Sequence, residues 1–400
     1  MAASIVTSPA SRSTSLDPIF FQFQTTLVDG SGAPTVDNLS NFVEIWQEPD
    51  GDAAAKIVSL THAYGTDKRT YVDAHAALNL KPHLPTPATI TPDATVATGI
   101  AKNAFRKFYL KYADRYGSPP TPETLATSAN FYAIFGSLGL DTTGAFFNQA
   151  QIIKCHNHVR PDKSLFWKPI SHDQPDWAYF YMKSDRNLSA EVLVTYFDGT
   201  TSTFTALAAA DYAVDKLYWI EAGFRQLQVD TNLAVGKTEA DVYRYELRLR
   251  TTSLVLATFR YQLDCPCHPW NKYLLLSNGL GGCESVWLKG ITSLGYEGER
   301  HSLERPRWVG ANPQDGLMAN YAAQGQHTYE ANTGWHSIHY IRHLRQLLLG
   351  DIWLIDTQNN RFLKMMADTT SFKLEEDDQQ LFSLEFKFKA AWKDQAFNSF

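Results

Sequence analysis

Two short runs carry the residue types that bind soft metals. KCHNH supplies Cys155, His156 and His158, and CPCH supplies Cys265, Cys267 and His268. Thiolate and imidazole are ligands of tetrahedral zinc, which takes four of them. The spacing works against such a site, because neither run is a CxxC and Cys155 and His156 are too close in the chain to chelate comfortably together. Joint ligation requires two distant loops to meet, so both runs are read as packing residues and no metal is assigned. A second set, His336, His339 and His343, falls at i, i+3 and i+7, about 60° of arc on a helix. HExxH is absent, and these imidazoles are read as the polar edge of an amphipathic helix.

Hydrolytic chemistry needs other arrangements. A glycosidase needs two carboxylates across a sugar cleft, and acyl transfer needs Ser or Cys beside His and an orienting carboxylate. No run of the sequence assembles either set. Acidic residues such as Asp198, Asp264 and Glu375 to Asp378 stand in turn-like settings. GLGG at Gly279 to Gly282 lies between two expected strands, with no following helix and no Lys-Ser/Thr, and reads as a tight connection rather than a phosphate cradle. Trp167, Trp177, Tyr179, Tyr181, Trp219, Trp270 and Trp287 have the rings to stack on sugars or fill a partner's pocket. Core packing is the expected role for most of them. No catalytic, cofactor or metal residue follows, and a non-enzyme is expected.

The elements that must position these residues read as strands. IFFQFQTTLVD, NFVEIWQE, AKIVSLTHAY and FRKFYLKYAD come first, and HAALNLKPHLPTPATITPDAT between them is loop with at most one helical turn. EVLVTYF and TTSTFTAL flank Asp198-Gly199, a dipeptide suited to the positive φ values of a two-residue hairpin turn. DKLYWIEA, FRQLQVD, VYRYELRLRT, LVLATFRYQLD, KYLLLSN and ESVWLKG follow at short intervals, which indicates a sandwich. In VYRYELRLR, Val242, Arg244, Glu246, Arg248 and Arg250 alternate with Tyr243, Tyr245, Leu247 and Leu249, the pattern of a half-buried strand. Only TGWHSIHYIRHLRQLLLGD reads as helix, with Ile338, Ile341, Leu344 and Leu348 on one stripe, Thr333 as cap and Gly350 as stop. IWLID, RFLKMMAD, SFKLEE and QLFSLEFKFKAAW close the chain as strands, the last alternating Leu384, Phe386 and Phe388 against Glu385, Lys387 and Lys389.

The expected fold is mainly β and multi-domain, with a central antiparallel β-sandwich and a small C-terminal α+β domain. Residues 1–16, rich in Ser, Thr and Ala, are expected as a flexible arm; 17–160 as a β-rich domain; 161–297 as the sandwich; 298–400 as the α+β domain. Aromatics make up 13% of the chain, which suits strands and buried surfaces. The 42 acidic and 36 basic residues are interspersed, with no polybasic stretch for phosphates or anionic lipid, so neither nucleic acid nor membrane is an expected partner. The opening MAASIVTSPASRSTSLDP has no apolar stretch of signal-peptide length, and no run of about 18 apolar residues occurs. Synthesis in a cytoplasm follows, and 4 cysteines in 400 residues are too few for a disulfide framework.

NKYLLLSNGLGGCESVWLKGITS resembles a recurring pattern in uncharacterised proteins of tailed phages and prophages of Bacteroidetes-type bacteria, in which a strand ends in a Leu-Asn-x-Leu-Gly-Gly turn. The matching positions are Tyr273, Leu274, Leu275, Asn278, Leu280, Gly281, Gly282 and Gly290, with Cys283 where that group more often has an aromatic or aliphatic residue. WAYFYMKSDRNLSAEVLVTYFDGTTS, NTGWHSIHYIRHLRQLLLGDIWLID and DDQQLFSLEFKFKAAW are similar to neighbouring segments of the same group, so the resemblance covers the last 240 residues or so.

This resemblance implies a virion structural protein, part of a phage tail tip, baseplate or tail-adaptor ring. It would be made in the host cytoplasm without a signal peptide and assemble as a ring-like homo-oligomer with other tail or baseplate proteins. A head or neck decoration protein is the alternative in the same class. A carbohydrate- or receptor-binding sandwich that meets a host surface glycan is the alternative from another class.

Overall fold

The computed structural model describes residues 3–29, 31, 33–48, 53–85, 96–137, 152–155, 167–264, 272–290, 292–304, 318–337, 340–341, 344, 350–368 and 381–396. It is mainly β, built of several sheets joined almost entirely by antiparallel pairs. The loop after Asp73 holds one helical turn, His75–Leu78.

Near the N-terminus, a three-stranded sheet of Ser4–Thr7, Phe20–Gln24 and Arg69–Asp73 faces a seven-stranded sheet centred on Phe105–Tyr116 and Ser40–Glu48. Phe21, Phe23 and Val72 of the first sheet meet Val43, Ile45, Phe108, Leu110 and Phe131 of the second in one core. The expected flexible arm takes part in both sheets. Ser4–Thr7 pairs with Phe20–Gln24, and Arg12–Thr14 runs parallel to Phe131–Ile134. Backbone pairing and the contact of Arg12, whose Nε and Nη2 both donate to Asp215 Oδ1 at 2.9 and 2.6 Å, tie down a segment poor in apolar surface.

The central sandwich is present with different boundaries. Its five-stranded sheet runs Lys168–Ile170, Val255–Leu263, Val242–Arg250, Arg186–Tyr196 and Thr201–Tyr212 in spatial order. The facing four-stranded sheet takes Trp177–Met182 and Leu217–Glu221 from the expected domain. It takes Ile152–Lys154 and Thr98–Ile100 from before residue 161. Phe180, Met182 and Ile220 pack on Val192, Val194, Leu247 and Phe259 across the gap. The hairpin forms at Asp198-Gly199, but around three residues rather than the expected two: Gly199 has φ +83° and Asp198 does not share the positive φ, the Tyr196 amide donates to the Thr200 carbonyl at 2.9 Å, and the Gly199 amide donates to the Tyr196 carbonyl at 3.0 Å. In Val242–Arg250 the alternation holds from Tyr245 onward. Val242 is buried as well, where the pairing with Arg186–Tyr196 slips between Thr195 and Tyr196. FRQLQVD forms a turn rather than a strand: Leu227 donates to the Gly223 carbonyl and Val229 to that of Phe224, burying Phe224, Leu227 and Val229.

An eight-stranded sheet completes the molecule, and it begins inside the region assigned to the sandwich. Its main path is Cys283–Leu288, Lys272–Ser277, Ile352–Asp356, Arg361–Ala367, Glu385–Ala390, Met318–Asn332 and Ser293–Glu304, with Asp394–Ala396 beside Met318–Asn332. The expected boundary at residue 297 therefore falls within a strand. One face packs Tyr273, Leu275, Cys283, Trp287, Trp353 and Ile355 against Trp177, Tyr179, Leu217 and Trp219, so the four-stranded sheet is buried on both faces. The other face carries Leu274, Val286, Leu354, Phe386 and Phe388 under Tyr340, Ile341 and Leu344.

The C-terminal α+β expectation resolves into this sheet. Of the expected helix, Tyr340, Ile341 and Leu344 are described, with the Leu344 amide donating to the Tyr340 carbonyl at 3.1 Å. His339 and His343 lie outside the described residues, as does SFKLEE. His336 does not share a helical edge with them. It stands in the short strand His336–Ser337, paired with Leu381–Phe382, because pairing to the closing strands takes up the chain before a helix starts.

Candidate functional site

Of the two Cys/His runs, only Cys155 belongs to the described residues; His156, His158, Cys265, Cys267 and His268 lie outside them. Cys155 is buried in the layer between the four- and eight-stranded sheets, and burial pushes its thiol well above the ordinary range. Among the described residues no three His, Cys, Asp or Glu side chains converge on a metal-sized centre. His336 is buried, its Nε2 2.9 Å from the Thr333 carbonyl, and desolvation lowers it to about 4.

The GLGG segment is a tight connection, as read from the sequence, and it is also a hub. Asn278 Oδ1 accepts from the amides of Leu280 and Gly282 at 3.0 and 3.1 Å, and its Nδ2 donates to the Cys155 carbonyl. The Gly279 carbonyl accepts from Ser137 at 3.1 Å and the Gly281 carbonyl from His83 at 3.0 Å, so the turn reaches the N-terminal sheets. A side chain at position 282 would run into the Tyr179 ring. This close approach explains why the turn needs Gly there.

A charged cluster that sequence reading missed lies nearby. Lys168 Nζ donates to both Asp176 oxygens at 2.9 Å and stands 3.7 Å from Glu284 Oε2. Asp176 Oδ1 also accepts from Ser285 N and Oγ at 2.8 and 3.0 Å, and the Asp176 amide donates to Gln226. The three charged side chains are at most 1% exposed. Their positions tie the five-stranded sheet through Lys168 to the eight-stranded sheet through Glu284 and Ser285. Sealed from solvent, the cluster cannot touch a substrate. The hydrogen-bonded Lys168–Asp176 pair links the two sheets, and a buried ion pair is tolerated when it is bonded in this way.

The aromatic candidates divide the same way. Trp177, Tyr179, Tyr181, Trp219 and Trp287 are buried, and Trp270 is outside the described residues. Trp167 is half-buried under the Arg244 guanidinium, 4.4 Å from its ring centroid. Among the described residues the exposed tryptophans are two that sequence reading did not select, Trp335 and Trp392.

Two surface features remain, both on the eight-stranded sheet. The first is a ribbon made by Ser293–Glu304 and Met318–Asn332, paired residue for residue along its length. Residues 318–322 have only this partner strand among the described residues, since Glu385–Ala390 and Asp394–Ala396 pair further along. Every residue from Ser293 to Arg300 is exposed, including Leu294 at 62% and Tyr296 at 57%.

The second feature is an open groove of about 570 Å³ lined by His327, Tyr329, Arg361, Phe362, Leu363, Lys364 and Trp392. It opens where Glu385–Ala390 ends: Met365 still pairs with Ala390, while Arg361 to Leu363 lie beyond that ladder. Its rings are held by other rings. Tyr329 stacks on Phe388 at 5.1 Å, His327 meets Tyr296 edge-on at 5.0 Å, and Phe362 meets the buried Trp177 at 6.0 Å. Its cations are ion-paired, Arg361 with Asp356 at 2.9 Å and Lys364 with Asp351.

No protein-family model and no curated protein matches the chain. Among solved structures, squid arrestin aligns over 67% of this chain and 95% of its own, at 9% identity and a TM-score of 0.19. A superposition that loose identifies neither fold family nor function.

Proposed function

We propose that the chain is a non-enzymatic structural subunit of a phage virion, which assembles with copies of itself and with other tail or baseplate proteins in a tail tip, baseplate or tail-adaptor ring. The phage setting rests on the sequence resemblance. The assembly role rests on the ribbon Ser293–Glu304 and Met318–Asn332, whose outer strand exposes both faces from Ser293 to Arg300. The stretch Ser293–Arg300 is a sheet edge, since residues 323–325 and 328–330 of its partner are paired on their other side, and long edge strands are ready templates for pairing. An exposed Leu and Tyr on such a ribbon suit burial against another subunit, in interfaces that commonly cover thousands of Å² when permanent. Sedimentation and electron microscopy of the full chain test this. Discrete multi-subunit particles are expected, and a monomer at every concentration, with no uptake into tail particles, refutes it.

A further inference from the structure

We infer that the groove beside Trp392 is a binding site for a neutral oligosaccharide. Its volume, about 570 Å³, lies within the range of small-ligand clefts. Its open form suits a chain that passes through rather than a compact ligand sealed inside. Trp392, 40% exposed, supplies an apolar ring face of the kind that covers the C–H face of a pyranose, with Tyr329, Phe362 and His327 around it. Those three rings are each braced by a neighbouring ring, so binding orders few side chains.

The charges of the groove select the class of sugar. Arg361 and Lys364 are engaged by Asp356 and Asp351, and Lys364 also lies 4.3 Å from the Trp353 ring centroid. Each pair is near neutral as a unit, which removes the excess positive charge that phosphates or polyuronates need. What the lining retains is the N–H donors of Arg361 and Lys364, the complement of hydroxyl oxygens. Aromatic faces with held, charge-balanced polar groups thus favour a neutral glycan over a nucleic acid or an acidic polysaccharide.

The test titrates the full chain with maltotriose, cellotriose and chitotriose, with trigalacturonate as the acidic control, read by tryptophan fluorescence and saturation-transfer NMR. Saturable binding of at least one neutral trisaccharide is expected. Trp392→Ala should weaken it tenfold or more at unchanged circular dichroism, and Trp335→Ala, exposed but outside the groove, should leave it unaltered. Arg361→Lys, which keeps the charge and loses the planar donors, should weaken binding by a smaller factor. Absence of binding by all three neutral sugars, preference for trigalacturonate, or equal affinity of wild type and Trp392→Ala overturns the inference. It stands apart from the assembly role, since a monomer that binds sugar refutes one and leaves the other intact.

Discussion

Trp177–Met182 and Ser293–Glu304 are both strands, yet all six residues of the first are buried and the first eight of the second are exposed. The first lies between two sheets, with Phe180 and Met182 turned to one core and Trp177, Tyr179 and Tyr181 to the other. The second is paired with one neighbouring strand, and beyond that strand Lys393 reaches its Glu299 at 3.1 Å. A strand's role in this molecule thus follows from how many layers cover it. The doubly covered strand holds the fold, and the exposed one is the strand on which the proposed assembly role rests.

That contrast breaks most readily at the charged cluster beside Trp177. Lys168→Met leaves Asp176 and Glu284 buried without their cation and should cost about 3–5 kcal/mol, measured by urea unfolding. Adding Asp176→Asn should recover part of the loss. A cost under about 1 kcal/mol would mean that the cluster does not hold the sheets in register.

Acid should weaken the covered layers next. Burial lowers His83 and His336 to about 4 each, against about 6.5 in an unfolded chain. Between these values the unfolded chain takes up protons that the folded chain refuses. Stability is therefore full above about pH 6.5 and falls as pH drops toward 4, by about 2 kcal/mol per ring between pH 7 and pH 5. His83→Phe keeps a ring beside Trp219, 6.0 Å away, and should reduce this slope. Urea midpoints that do not change from pH 7 to pH 5 would contradict it.

Gly199→Ala acts on one turn at the exposed end of the sandwich. No atom lies within 4 Å of the added methyl, so the cost is the positive φ alone, about 1–2 kcal/mol. A thermal midpoint equal to wild type would show that the turn relaxes.

The smallest stability effect belongs to the ribbon and sharpens the comparison most. Tyr296→Ala removes a ring 57% exposed and should change unfolding free energy by less than about 0.5 kcal/mol, while shifting the sedimenting species toward monomer. A large stability loss with assembly unchanged would make Tyr296 a fold residue, through its cover of Gly325 and its contact with His327.

Much of the local structure was legible from residue order. Alternation in Glu385–Ala390 buries Phe386 and Phe388 and exposes Glu385 and Lys387, as period two requires. Trp177–Met182 escapes the period-two pattern because both its faces are covered. FRQLQVD misled because its apolar residues, Phe224, Leu227 and Val229, face one core from a turn, and spacing alone does not separate that from a strand. The groove was not legible at all. Its residues come from three segments, around His327, Arg361 and Trp392, and nothing in any one segment marks Trp392 as exposed or Trp177 as buried.

Sequence by itself determined the mainly β character, the Asp198-Gly199 hairpin and the tight Asn278 to Gly282 turn, because backbone dihedrals and the two-residue period are set by neighbours along the chain. Tertiary structure alone decided that Ser4–Thr7 and Arg12–Thr14 join the N-terminal sheets, that Lys272–Ser277 and Cys283–Leu288 leave the sandwich for the eight-stranded sheet, and that Lys168, Asp176 and Glu284 meet in one buried cluster. These outcomes depend on which strand edges and sheet faces come together between segments far apart in the chain, and no local preference encodes that.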